Sequence, residues 1–172
     1  MKSTVILRST LFLVILNIST FARAEPEIVA SLDWSDAQVP ELTVLHHDPN
    51  EGPVLEVNVN RREIFSLWSV DRPQVGSEAH AIRGRIRIEA VSGNAQFEMW
   101  TCFGDDSDWY SRMPISANPS VELSEWIDFE VPFDLGGDYE LRYPPNKMLL
   151  TLDLPEGGLL WISNLDLVYY SE

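Results

Sequence analysis

Between His80 and Phe103 the chain alternates apolar and polar positions with a period of two. Ile82, Gly84, Ile86, Ile88 and Ala90 interleave with Ala81, Arg83, Arg85, Arg87 and Glu89. After Ser92-Gly93-Asn94, the residues Phe97, Met99, Thr101 and Phe103 interleave with Gln96, Glu98, Trp100 and Cys102. Successive side chains of a β-strand point to opposite faces, so this pattern predicts two long strands joined by a turn. Read as one hairpin, it sets the ladder Arg83, Arg85 and Arg87 beside Glu98 and Trp100 on a charged, aromatic face, with the apolar residues on the other side.

The same period recurs along the chain. Leu55, Val57 and Val59 alternate with Glu56, Asn58 and Asn60; Ile127, Phe129, Val131 and Phe133 with Trp126, Asp128 and Glu130; Met148, Leu150, Leu152 and Leu154 with Leu149, Thr151 and Asp153. Shorter apolar runs occupy Glu27 to Trp34, Leu42 to His46, Ile64 to Val70, Trp109 to Met113 and Leu159 to Tyr170. Turn-forming clusters separate them: Asp71-Arg72-Pro73, Gly104 to Asp108, Pro114 to Pro119, Asp134 to Pro145 and Gly157-Gly158. About nine or ten strand-like runs with no run at helical spacing predict an all-β fold, an antiparallel sandwich of two packed sheets. No fixed-period repeat points to a solenoid or propeller.

The first 24 residues read as an address rather than as part of this fold. Lys2 and Arg8 precede the apolar run Leu11 to Ile18, and Ala22-Arg23-Ala24 has the small-x-small form of a signal-peptidase site, predicting cleavage after Ala24 and a single domain over 25–172. The run falls short of the roughly 20 apolar residues of a membrane-spanning helix, so no membrane insertion is expected after cleavage. The expected location is periplasmic or extracellular.

Charge narrows the function classes. The sequence holds 12 basic and 27 acidic residues, a net charge of −15. Loss of Lys2, Arg8 and Arg23 with the leader would take it to about −18. Such a field repels nucleic acid and anionic lipid, which argues against a phosphate-binding role. Cys102 is the only cysteine, so no internal disulfide forms even in an oxidising compartment. Within Met99 to Phe103 it reads as a small buried hydrophobe.

From Ala81 to Leu167 the residues resemble the closing half of galactose-binding-domain-like jelly rolls, the fold of many carbohydrate-binding modules. Trp126, Phe129, Pro132 and Phe133 fit one strand element of that half. Leu150, Leu152 and Leu154 fit a second, and Trp161, Ile162, Leu165 and Leu167 fit a third. The resemblance implies a jelly roll and a lectin-like role, with Trp126 and Trp161 as packing residues. Ser163 and Asn164 stand where such modules often carry paired aspartates, so a structural calcium is not carried over and no cofactor is implied.

Sugar recognition needs flat aromatic faces for C–H surfaces and planar polar groups for paired hydroxyls. Trp100, Glu98, Arg83, Arg85 and Arg87 meet that need if they share a face, and Tyr110 and Arg112 extend it. Arginine's fork suits a carboxylate, which favours an acidic sugar such as a uronate. Cross-strand Arg–Glu pairs also dress many exposed sheets without binding anything.

Trp34 and Trp68 read as core, Trp109 as a rim residue and Tyr169-Tyr170 as edge packing. His46-His47-Asp48 does not converge on a metal, because adjacent strand residues face opposite ways. Asp105 to Asp108 lacks the spacing of a helix-loop-helix calcium loop and reads as a solvated turn. No G-x-S-x-G, H-E-x-x-H or phosphate-binding glycine loop occurs, and no catalytic residue is assigned. Glu98 and Asp153 could flank a glycosidic bond, as two of many acids. The expected function is a secreted, non-catalytic carbohydrate-binding module. The alternatives are a protein-interaction domain of a secreted assembly, its arginine face docking another secreted protein, and a small glycan-active enzyme.

Overall fold

A computed structural model describes residues 25–35, 40–75, 80–104, 108–115, 125–133 and 144–170. The leader, the Asp105–Ser107 part of the acidic turn and most of the two long loops lie outside them. Eleven strands follow in chain order: β1 (Glu27–Leu32), β2 (Thr43–Asp48), β3 (Gly52–Val59), β4 (Glu63–Asp71), β5 (His80–Val91), β6 (Gln96–Cys102), β7 (Asp108–Pro114), β8 (Trp126–Pro132), β9 (Lys147–Leu154), β10 (Gly158–Ile162) and β11 (Leu165–Tyr169). Every described pairing is antiparallel. Among the described residues no helix is long and apolar enough to cross a membrane.

Two sheets form the expected jelly-roll sandwich. The larger has seven strands in the order β1-β11-β5-β10-β3-β2, with β8 on the other edge of β5. The smaller runs β4-β9-β6-β7. Strand β5 is the spine of the large sheet: one edge takes β8, and the other takes β11 along His80–Arg83 and β10 along Ile86–Val91. Strands β10 and β11 thus lie end to end, interrupted at Ser163-Asn164. The gap is closed by side-chain and backbone bonds, the Arg85 N–H donating to Ser163 Oγ (2.9 Å) and the Ser163 N–H to the Arg85 carbonyl (2.9 Å).

The inward residues are those the period selects. Ile82, Ile86 and Ile88 of β5, Phe97 and Met99 of β6, and Met148, Leu150, Leu152 and Leu154 of β9 are buried in one apolar cluster. Phe97 stacks on Phe129 of β8 across the two sheets, ring centres 4.5 Å apart and 11° from parallel. Trp34 is fully buried, its Nε1–H donating to the Ser163 carbonyl (2.7 Å). Burying apolar surface contributes about 25 cal/mol per Å² and stabilises this arrangement without a disulfide.

One expectation fails here. Strands β5 and β6 are consecutive but not paired: the turn at Ser92-Gly93-Asn94, with Gly93 at φ 71°, carries the chain from the large sheet to the small one. Their apolar faces look at each other across the core instead of lying side by side. A period-two pattern is satisfied equally by both arrangements, and the edges of β5 and β6 are taken by other strands.

Candidate functional site

Because β5 and β6 belong to different sheets, the predicted polar face divides into two, on opposite outer surfaces of the sandwich. Arg83, Arg85 and Arg87 lie on the large sheet, and Glu98, Trp100, Tyr110 and Arg112 on the small one. Glu98 and Trp100 therefore do not face the three arginines.

On the small sheet the register builds an aromatic strip. Trp100 of β6 sits between Tyr110 of β7 and Leu149 of β9, each directly across the ladder. The Trp100 and Tyr110 rings are 5.2 Å apart and tilted by 32°, a shared shelf rather than a stack. Tyr110 is 51% exposed and Trp100 half-buried, so the shelf is open to solvent.

The next row along the strands carries polar groups: Arg112, Glu98 and Thr151 are aligned across β7, β6 and β9. Arg112 Nε is 3.0 Å from Glu98 Oε1, and Gln96 Nε2–H donates to the same oxygen at 2.8 Å. The Arg112 guanidinium also lies over the Tyr110 ring, 4.7 Å from its centre. Glu98 is thereby fixed beside Trp100, and a planar amide, a guanidinium and a carboxylate stand next to an aromatic face. Beyond them Asp153 of β9 lies directly across from Gln96.

The large-sheet face is differently occupied. Arg83 meets Asp166 (3.6 Å), Arg85 meets Asp128 (3.1 Å) and Glu51, and Arg87 meets Asp48 (3.6 Å). Arg87 is also enclosed by indoles, its guanidinium carbon 4.2 Å from the Trp161 ring centre and 5.4 Å from that of Trp126. Trp161 Nε1–H in turn donates to Glu56 (3.1 Å), which His46 Nε2 also approaches (2.9 Å).

Trp126 and Trp161 are thus half-buried on the outer surface, not packing residues of the core. Alternation with Ile127 had placed Trp126 there, whereas Trp161 had been read only as a packing residue. A fissure of about 550 Å³ opens elsewhere on this sheet, lined by Arg83, Arg85, Asp128, Glu130, Asn164 and Asp166 among others. Each arginine on this face already has a carboxylate nearby that offsets its charge.

The remaining candidates are placed as follows. Trp109 points inward and packs against the core edge, not at a rim. Cys102 is half-buried on the outer surface of β6; burial pushes its thiol up, reinforced by a hydrogen bond with Asp108. Ser163 and Asn164 are engaged by Arg85 and Trp34. No group of three or more metal-ligating side chains is found among the described residues. Gln96, Thr151 and Leu149 complete the small-sheet site but were not singled out by sequence; Gln96 shares the outward face of β6, and only the β6–β9 register, which the sequence does not encode locally, brings Thr151 and Leu149 beside it.

No family model matches the chain. The human BCL-6 corepressor-like protein 1 is 35% identical over 82 residues, a stretch that covers 46% of this chain but only 4% of that protein. Solved structures are far more extensively similar. The CBM22-1 xylan-binding domain of Xyn10C from Paenibacillus barcinonensis superposes with a TM-score of 0.54 at 10% identity, over 86% of this chain and 97% of that one. The family GH115 4-O-methyl-α-glucuronidase BtGH115A gives a TM-score of 0.53 at 11% identity, over 87% of this chain and 18% of that one. The module CBM6cm-2 from the Cellvibrio mixtus lichenase 5A, in complex with cellotriose, gives 0.50 at 12% identity over 84% and 100%. The fold of this chain is the jelly roll of the carbohydrate-binding modules.

Proposed function

We propose that this chain is an exported, non-catalytic carbohydrate-binding module whose binding surface is the outer face of β4-β9-β6-β7. The observation that carries this reading is the Trp100–Tyr110 shelf flanked by the fixed polar row Gln96, Glu98 and Arg112. A pyranose resting its C–H face on Trp100 brings its equatorial hydroxyls within reach of a carboxylate acceptor and guanidinium and amide donors. Because those groups are already held by one another, little side-chain entropy is lost when a sugar binds. The fold supports the reading: similar structures include a xylan-binding domain and a module in complex with cellotriose. Reversible stacking needs no bond-making residue.

Titration of the purified protein with an array of soluble oligosaccharides, read by tryptophan fluorescence, tests it. At least one oligosaccharide is expected to give saturable quenching that Trp100→Ala strongly weakens; no response to any glycan overturns the reading. N-terminal sequencing of the exported protein tests cleavage after Ala24.

A further inference from the structure

Resting on that reading of the small-sheet face, we infer that the site selects glycans whose stacked residue keeps two free hydroxyls on adjacent ring carbons, and that the selecting atoms are Glu98 Oε2 and the terminal nitrogens of Arg112. A 1,4-linked pyranose chain keeps such a pair on every internal residue. A 1,3-linked chain does not, because the linkage occupies the carbon between its two ring hydroxyls.

The selection follows from which atoms are already bonded. Glu98 Oε1 takes both neighbouring donors, Arg112 Nε at 3.0 Å and Gln96 Nε2–H at 2.8 Å. Glu98 Oε2 accepts no hydrogen bond from the described residues, yet it is not one of their buried unpartnered atoms, so it meets solvent. The Arg112 side chain is 52% exposed and engages Glu98 through Nε, which leaves its two terminal amino groups to point past the Tyr110 ring. Other polar groups beside the shelf are occupied. The buried Thr151 hydroxyl donates to the Glu98 backbone carbonyl (3.4 Å), and on the far side Cys102 and Asp108 bond to each other.

A carboxylate oxygen only accepts and a guanidinium only donates. Held side by side through the Nε–Oε1 contact, the two require a ligand that donates at one position and accepts at the next. Adjacent hydroxyls do both: one gives its proton to Oε2, and its neighbour receives an N–H from Arg112. A uronate would set an anion against Oε2, and an amine would set a cation against Arg112. Glu98 follows Trp100 on the outward face of β6, and Arg112 follows Tyr110 on that of β7, so both groups stand at one edge of a ring lying on the shelf.

The test compares three glucose hexamers by calorimetric titration: β-1,4-linked, β-1,3-linked, and β-1,4-linked with both hydroxyls of the adjacent pair methylated. All three keep apolar ring faces for Trp100. The unmodified β-1,4-linked hexamer is expected to bind at least about tenfold more tightly than either of the others. That preference should shrink in Glu98→Gln and in Arg112→Met, two surface changes whose folding circular dichroism verifies. Equal or tighter binding of the β-1,3-linked or methylated hexamer by the wild-type chain, or an undiminished preference in both variants, overturns the inference while the carbohydrate reading stands. So does a best ligand from the wider array that lacks an adjacent pair of free hydroxyls. Absence of binding by all three hexamers, together with none across the array, removes both.

Discussion

The two tryptophan-bearing faces make opposite predictions for a pair of alanine substitutions. Trp100→Ala removes the centre of the small-sheet shelf and, with it, the contacts to Tyr110 and Leu149. Cross-strand side-chain pairs contribute roughly 0.2 to 1 kcal/mol each, so the fold should lose only about 1 kcal/mol, roughly 3 °C in Tm. Binding should suffer more, since truncating a central aromatic anchor costs about 2 kcal/mol, or some thirtyfold in Kd.

Trp161→Ala is the counterpart on the large sheet. It removes the hydrogen bond to Glu56 (3.1 Å) and the face on which Arg87 lies at 4.2 Å. The cost to stability is about 2 kcal/mol, near 6 °C in Tm, with Kd unaltered. Thermal unfolding followed by circular dichroism and calorimetric titration with the best oligosaccharide measure both quantities for each variant. If Trp161→Ala abolishes binding and Trp100→Ala leaves it intact, the site lies on the arginine-bearing face and not on the small sheet.

Three further outcomes are expected. Gly84→Ala should destabilise by about 1–3 kcal/mol in thermal melts, because a Cβ there would lie 2.8 Å from Leu165 Cδ2 and 3.1 Å from the Asn164 carbonyl oxygen, at the closed gap between β10 and β11; an unchanged melting point would refute that packing. Asp48 is held below its ordinary value of 3.8, chiefly by the Asn50 N–H, with the Glu51 N–H, the Trp126 side chain and Arg87 adding to it. A carboxyl depressed in the folded state adds stability above its unfolded pKa and loses it as pH falls through the folded one. Wild type should therefore exceed Asp48→Asn in stability near neutral pH, with the gap closing below about pH 4, and a pH-independent gap would contradict this. Cys102, its thiol raised above 9.0 by burial and by Asp108, should react with iodoacetamide at pH 7.5 far more slowly than free cysteine, which mass spectrometry follows directly; reaction at the free rate would count against it.

Much of the candidate site was legible in the chain, and where it was not the cause is specific. Trp100 and Glu98 were placed outward by alternation, Tyr110 and Arg112 were expected only as an extension from the next strand, and the structure brings these four together. Arg83, Arg85 and Arg87 were also correctly turned outward, but onto the other sheet. Trp126, turned outward by the alternation read for its strand, and Trp161, assigned only by resemblance to a packing element, both show local alternation to be the better guide. Each alternates with an inward isoleucine, and each lies outside beside Arg87.

What the sequence determined by itself is which side of its own strand each residue occupies, together with the all-β class and the acidity that disfavours anionic ligands. Those properties are local or additive: a strand's period is exactly two residues wherever it pairs, and charge is a count. Only the tertiary structure decided that β6 lies between β7 and β9, that Trp100 meets Tyr110 and Leu149, and that Asp153 stands across from Gln96. A backbone ladder forms equally well with any extended neighbour, so the choice among neighbours comes from how all the apolar faces bury one another at once, a property no single stretch contains.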